Sequence, residues 1–249
     1  MIASIQLRSK IIKVDLSKPL DISISIRDGE KNVNAWYVGP PKMQPYSDGE
    51  FTGSVKEGSV VNFYKFEFLP HSHGTHTECV GHITEKVHSV NAHLQQYFHL
   101  AELITVAPEK LGDDFVISAK QIRYALRNKK REALIIRTLP NMLQKRSQQY
   151  SNTNPPYMLE DAARYLASKG IKHLLIDLPS IDREQDEGAL LAHRAFWNMR
   201  GPIRYDATIT EFIYVDNSIE DGTYLLNLQV APFENDASPS RPVLYQPIQ

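Results

Sequence analysis

The sequence predicts a mixed α/β fold, and three observations carry that prediction. Runs that alternate apolar and polar residues, or stay apolar for about six positions, recur along the chain and read as strands. Stretches with amphipathic helical spacing lie among them, most plainly at 159–168. A helix, a glycine and a buried strand then come one after another across 159–177. The chain has 249 residues, 42% of them hydrophobic, which suffices for one sizeable core or at most two small ones. We expect one domain over 1–249.

Residues 2–16 alternate as a strand and end in Asp15-Leu16-Ser17. Leu20 to Ile26 alternates again and is broken by Asp28-Gly29. Residues 34–53 are rich in proline, glycine and aromatics and read as a loop, from which Trp36, Tyr37 or Tyr46 could wall a substrate pocket. Residues 60–69 are aromatic and alternating, a strand. Residues 91–103 read as a short helix, with His88, His93 and His99 in or near it as surface or packing residues. Residues 104–106 read as a strand. Residues 118–130 form a helix with Ser118 as N-cap and basic residues at its end, where they complement the dipole.

Residues 133–138 are a short buried strand ending in Arg137 and Thr138. Strand ends are where α/β proteins place their sites, so Arg137 could bind an anionic substrate, or pair structurally. Residues 141–154 are a polar loop. The helix at 159–168 is closed by Gly170, and the strand at 171–177 runs into Leu178-Pro179-Ser180-Ile181-Asp182. Asp177 and Asp182 read as acids that organise the loop or support ligands. Residues 183–188 are an acidic turn, and His193 sits within 189–197. Residues 223–231 form a strong strand, read as central. The tail beyond them carries Phe233, Arg241 and Tyr245 as anchors and could cover a site or a neighbouring subunit.

Composition excludes several classes. Lys and Arg number 28 against 29 Asp and Glu, so there is no electrostatic case for nucleic acid or an anionic membrane. One cysteine excludes an internal disulfide and fits a reducing compartment. Arg8, Lys10 and Lys13 interrupt any signal-peptide core, and no run approaches the ~20 apolar residues of a membrane span. The expectation is a soluble, cytoplasmic protein.

The densest chemistry lies at 70–82, Pro-His-Ser-His-Gly-Thr-His-Thr-Glu-Cys-Val-Gly-His. Four of the nine histidines fall here, with Glu78 and the single cysteine, Cys79. Imidazole and carboxylate together suit zinc, manganese or iron. If 76–78 is extended, His76 and Glu78 point to one face and can share a metal. His82 could project into the same cleft.

At these residues the chain resembles the cyclase family of metal-dependent hydrolases, which includes bacterial kynurenine formamidase. The family signature is H-x-G-T-H-x-D-x-P-x-H. Gly74, Thr75, His76 and His82 match it, and Glu78 replaces the aspartate. The first histidine falls on Ser72, with His71 and His73 on either side, and the proline position is Val80. Asp15-Leu16-Ser17, Arg137-Thr138 and Pro179-Ser180-Ile181-Asp182 extend the resemblance. It implies a three-layer swivelling β/β/α domain with a mixed central sheet, and a divalent transition metal, zinc ahead of manganese. By the same analogy His76 and Glu78 are core ligands, His71 (or His73) replaces the missing histidine, and His193 and Glu211 complete a second metal position bridged by Glu78. His82 becomes the general acid/base, with Trp36 and Arg137 as candidate substrate contacts. The implied reaction is hydrolysis of an amide, formamide, cyclic amide or lactone by a homodimer or homotetramer acting on a small molecule. Two rivals stand beside it: a metal-free binding protein on the same fold, and a cysteine hydrolase using Cys79 with His76 or His82 as base.

Overall fold

The structure is a computed structural model that describes residues 1–7, 10–127 and 129–248. The chain opens with a hairpin, β1 (Ile2–Leu7) and β2 (Lys10–Asp15), where the sequence reads as one strand. Then come β3 (Leu20–Asp21) and a second hairpin of β4 (Lys42–Pro45) and β5 (Tyr64–Glu67). A one-turn helix α1 (Pro70–His73), β6 (His76–Glu78) and the one-turn α2 (Val90–His93) carry the histidine-rich stretch and the residues just beyond it. The middle of the chain holds β7 (Phe98–Val106), β8 (Glu109–Leu111), β9 (Asp114–Ile117), α3 (Ala119–Leu126) and β10 (Ala133–Thr138). After it come β11 (Tyr157–Met158), α4 (Glu160–Ser168), β12 (His173–Ile176), α5 (Leu191–Phe196) and β13 (Thr208–Glu211). The chain finishes with β14 (Gly222–Asn227), β15 (Ala237–Pro239), β16 (Val243–Tyr245) and β17 (Pro247–Ile248).

Nine strands form one mixed sheet in the order β15-β6-β13-β12-β10-β7-β14-β16-β3. β7, β10, β12 and β13 are parallel neighbours, and the strands on either side of them run antiparallel. Every residue of β10 and β12 is buried, as parallel strands covered on both faces require. Leu134, Ile136, Leu174 and Ile176 face α3, α4 and α5 in one core. Ala133, Ile135 and Leu175 face the other way and meet Tyr224, Leu226 and Leu244 from β14 and β16, so the sheet curls over its own centre. A helical layer, a central sheet and a curled-over β layer result, which is the expected architecture.

The region before and within β7 also differs from the sequence reading. Residues 91–103 are not a helix: only Val90–His93 makes a helical turn, and β7 occupies Phe98–Val106. β7 is hydrogen-bonded on both sides, to β10 and β14, and this pairing outweighs the local helical preference of Ala101-Glu102-Leu103. β14 is interior, as expected, but lies toward the β3 edge rather than at the sheet's centre. Among the described residues no helix is long and apolar enough to cross a membrane.

Candidate active site

The site is assembled around β6. Its approach needs glycine at position 74, because a Cβ there would lie 2.8 Å from Ile26 Cγ1 and 3.2 Å from the Ile24 carbonyl. Thr75 Oγ1 then accepts the Ile24 amide at 2.7 Å and donates to the Phe212 carbonyl, tying three segments together. Residues 76–78 are extended, so His76 and Glu78 project from one face. β13 pairs antiparallel with β6 and sets Glu211 opposite His76, on that same face.

α1 decides between the two neighbours of Ser72. Successive helical residues are about 100° apart, so His71 and His73 point to opposite sides. His73 turns away, accepting the Leu69 amide on Nδ1 at 2.9 Å and donating from Nε2 to the Gly39 carbonyl at 3.0 Å. His71 turns in, with Nδ1 3.2 Å from Glu78 Oε2. His82 lies on the 3-10 turn Val80–Ile83, its Nε2 3.8 Å from Glu78 Oε2. That turn packs so close to the His88 carbonyl, 2.2 Å from where a Cβ would stand, that position 81 must be glycine.

His193 enters from α5. Asp182 accepts the Ala192 amide at 2.7 Å and the His193 amide at 3.1 Å, capping the helix start, and holds His193 Nδ1 at 2.6 Å. The ring's other nitrogen, Nε2, therefore faces Glu78 Oε1 at 3.0 Å and Glu211 Oε1 at 3.8 Å. Asp177, by contrast, organises the strand ends: it is fully enclosed, pairing with Lys145 at 2.7 Å and accepting the Thr138 amide at 2.9 Å.

The electrostatics favour a bound cation. Burial works against a charged His71, but Asp236 and Glu78 outweigh it and raise its pKa to about 10. Burial likewise opposes charge on His193, yet Asp182, Glu78 and Glu211 hold its pKa well above the ordinary value. Burial alone would raise the Glu78 carboxyl, but His82, His193 and His71 bring it well below the ordinary value. The carboxylates thus stay ionised and favour positive charge on the imidazoles, and a metal ion could supply that positive charge in place of their protons.

Two buried atoms test the fit directly. His76 donates from Nδ1 to the Gly74 carbonyl at 3.1 Å, leaving Nε2 toward Glu211 Oε2 at 3.5 Å with no hydrogen bond. Glu78 Oε2 is buried and also without a hydrogen bond. Orphaned buried acceptors are rare and costly, and a cation between them resolves both. The ligand atoms of His71, His76 and Glu78, and those of Glu78, His82 and His193, lie within 4.8 Å of one another in each set. The donors present fit a divalent metal.

The sequence thus anticipated six residues that the fold brings together: His71, His76, Glu78, His82, His193 and Glu211. Trp36 stands beside them. Its indole donates to the His71 carbonyl at 3.0 Å and its ring packs on the cluster containing Phe212 and Tyr150. Arg137 takes the structural alternative: its guanidinium donates to Thr105, to the carbonyls of Asp216 and Ile219, and to Asp221, and none of these contacts reaches the cluster. Cys79 is buried with its thiol on the His88 carbonyl, and burial, with Asp236 and Glu78 adding to it, pushes its pKa up to about 11, the reverse of a nucleophile's tuning. Sequence reasoning missed Asp236. It lies in the tail just before β15, and its Oδ2 is 2.8 Å from His71 Nε2 and 3.4 Å from His82 Nδ1. No spacing pattern marks it; the only signal was the tail's apolar and aromatic anchors.

The family model of the Cyclase family matches residues 14–183. The chain belongs to the Cyclase family. It is a hydrolase of that family. Among its relatives is a kynurenine formamidase of Bacillus cereus (strain ATCC 14579), 26% identical over 234 residues that cover 93% of this chain and 96% of the relative. A kynurenine formamidase of Bacillus thuringiensis (strain Al Hakam) is 27% identical over 238 residues, with the same shares covered. Of solved structures, an isatin hydrolase bound to the product analogue thioisatinate superposes with a TM-score of 0.69 at 17% identity, over 93% of each chain. A predicted metal-dependent hydrolase from Bacillus stearothermophilus gives 0.65 at 20% identity, over 92% of this chain and 98% of that one. These two structures share the fold.

Proposed function

We propose that the protein is a metal-dependent amidohydrolase that cleaves a small aryl formamide or cyclic amide. The observation that carries this is the pair of orphaned buried acceptors, His76 Nε2 and Glu78 Oε2, inside a set of four imidazoles and two carboxylates. His71, His76, Glu78, His193 and Glu211 would hold the metal, with Glu78 central because its two oxygens face different imidazoles. Nitrogen and carboxylate donors suit zinc first and manganese second. A bound divalent cation supplies Lewis-acid chemistry, acidifying water and polarising a carbonyl.

The protein's own part is positioning and proton transfer. His82 has a partly exposed ring whose Nε2 faces the cluster, so it can reach both the cleft and solvent. It takes a proton from the attacking water at Nε2 and delivers it to the leaving nitrogen, while the new C–O bond forms and the C–N bond breaks. Trp36, half-buried and hydrogen-bonded to the His71 carbonyl, would offer an aromatic substrate an apolar neighbour. The formamidase relatives support the formamide, and the isatin hydrolase fold supports testing the cyclic amide beside it.

The test is metal content by inductively coupled plasma mass spectrometry, with hydrolysis of an aryl formamide and of isatin assayed in parallel. Wild type should carry one or two equivalents, and His76→Ala and Glu78→Ala should lose both metal and hydrolysis. Wild type that takes up no zinc or manganese on incubation overturns the reading.

We also propose a cytoplasmic homodimer or homotetramer. The β4–β5 hairpin supports the assembly: every residue of β5 is exposed, and Val60, Phe63 and Phe66 are 92%, 56% and 59% accessible, an apolar surface suited to a second copy. Sedimentation should show the Phe63→Asp/Phe66→Asp protein as a monomer; a monomeric wild type would refute this.

A further inference from the structure

We propose that Asp236 is a positioning residue that fixes, with a single carboxylate oxygen, which nitrogen of His71 and of His82 faces Glu78. The inference rests on the metal-dependent reading above.

Asp236 Oδ2 accepts from His71 Nε2 at 2.8 Å and lies 3.4 Å from His82 Nδ1. Those contacts leave His71 Nδ1 toward Glu78 Oε2 at 3.2 Å and His82 Nε2 toward the same oxygen at 3.8 Å. The two rings, held by one acceptor, lie 4.3 Å apart between centroids and 31° from parallel. Neither ring has another hydrogen-bond partner to fix its flip: among the described residues, only Asp236 and Glu78 reach their nitrogens.

A metal-ligating imidazole that donates its other N–H to a carboxylate has its tautomer and orientation set by that bond. Asp182 does this for His193. Asp236 does it for His71, and adds His82. It thereby couples a ligand to the residue that moves the proton. The backbone that carries the carboxylate is held at two points, since the Asp236 carbonyl accepts the Cys79 amide at 2.9 Å and the Asn235 carbonyl accepts the Val90 amide at 2.9 Å. It reaches the site from a segment beyond the residues that the family model matches.

The experiment compares zinc affinity, by competition with a chromophoric chelator, in the full-length wild type and in Asp236→Asn, Asp236→Glu and Glu234→Gln. Glu234 is the control: it is close in sequence, and its carboxylate accepts the Asn91 side-chain amide and, among the described residues, no other hydrogen bond. Asp236→Asn should bind zinc about 10–100-fold more weakly, with kcat for the aryl formamide reduced and KM little changed. Asp236→Glu should recover part of both losses, and Glu234→Gln should match wild type. In a His71→Ala background, Asp236→Asn should cost less than it does alone. Zinc affinity and kcat at wild-type level in Asp236→Asn overturn the inference. If that variant does not fold, Asp236→Ser takes its place, since wild-type zinc affinity and kcat there overturn the inference equally. If wild type binds no zinc, the metal-dependent reading fails and this inference falls with it.

Discussion

The histidine cluster has a closed half and an open half, and they are built differently. His76, Glu78, His193 and Glu211 have side chains no more than 4% exposed. They stand on two paired strands and a capped helix. His71, His82 and Asp236 are 27%, 31% and 24% exposed, on a one-turn helix, a 3-10 turn and a tail segment. Burying charge is costly unless the charges compensate one another, and the closed half sets two imidazoles against two carboxylates while leaving His76 Nε2 and Glu78 Oε2 without hydrogen bonds. The open half has water as an alternative partner and can exchange protons and substrate. The closed half supplies four of the five proposed ligands, and the open half supplies the fifth, His71, together with His82, the proposed proton carrier.

The largest expected effect comes from unbalancing the closed half. Glu78→Gln should abolish hydrolysis and zinc binding and destabilise the metal-free protein by about 3–5 kcal/mol in urea unfolding, since it strands the His193 imidazole beside an amide. Unchanged stability would mean that the closed half is not held by charge. In the open half, His82→Ala should keep its zinc and lose about 10²–10⁴ in kcat. Loss of zinc along with activity would erase the division between the halves.

Next in size is Asp182→Asn, which should weaken zinc about 10–100-fold by freeing the His193 ring. Because this bond is wholly buried, its loss should exceed that of Asp236→Asn; the reverse order would show the open half to be the tighter one. The smallest effect lies outside both halves. Burial first, and His99 with Lys172 next, hold the His173 pKa well below the ordinary 6.5, and burial lowers that of His99 as well. Both bind protons less readily folded than unfolded, so their contribution is present above pH 6.5 and is lost as pH falls below it. Tm should drop between pH 7.5 and 5.5, and the drop should be shallower in His173→Gln.

Much of this was legible in the sequence because it is local. The 133–138 and 171–177 runs are apolar enough to be read as buried strands, and Ser118 caps its helix as its residue type suggests. The His76 and Glu78 pairing comes from strand period alone. His71 was preferred to His73 only on the resemblance, because the choice depends on the single helical turn α1, which no periodicity marks. β7 was misread because strand pairing with β10 and β14 decided it, and those partners are remote in sequence. Asp236 was invisible for the same reason: it meets His71 across 165 positions.

That separation also bears on how the protein folds. β6 is flanked by β13 and β15, and the Thr77–Thr210 hydrogen bond alone spans 133 positions. Loop closure must precede such contacts, and topologies dominated by them fold slowly. The strand that carries the proposed ligands is made early in synthesis and sealed late, so for most of that interval its imidazoles and carboxylate would be open to solvent. A metal ion met during that interval would capture the strand before its partners arrive, so the order of metal binding and strand pairing becomes a matter of kinetics.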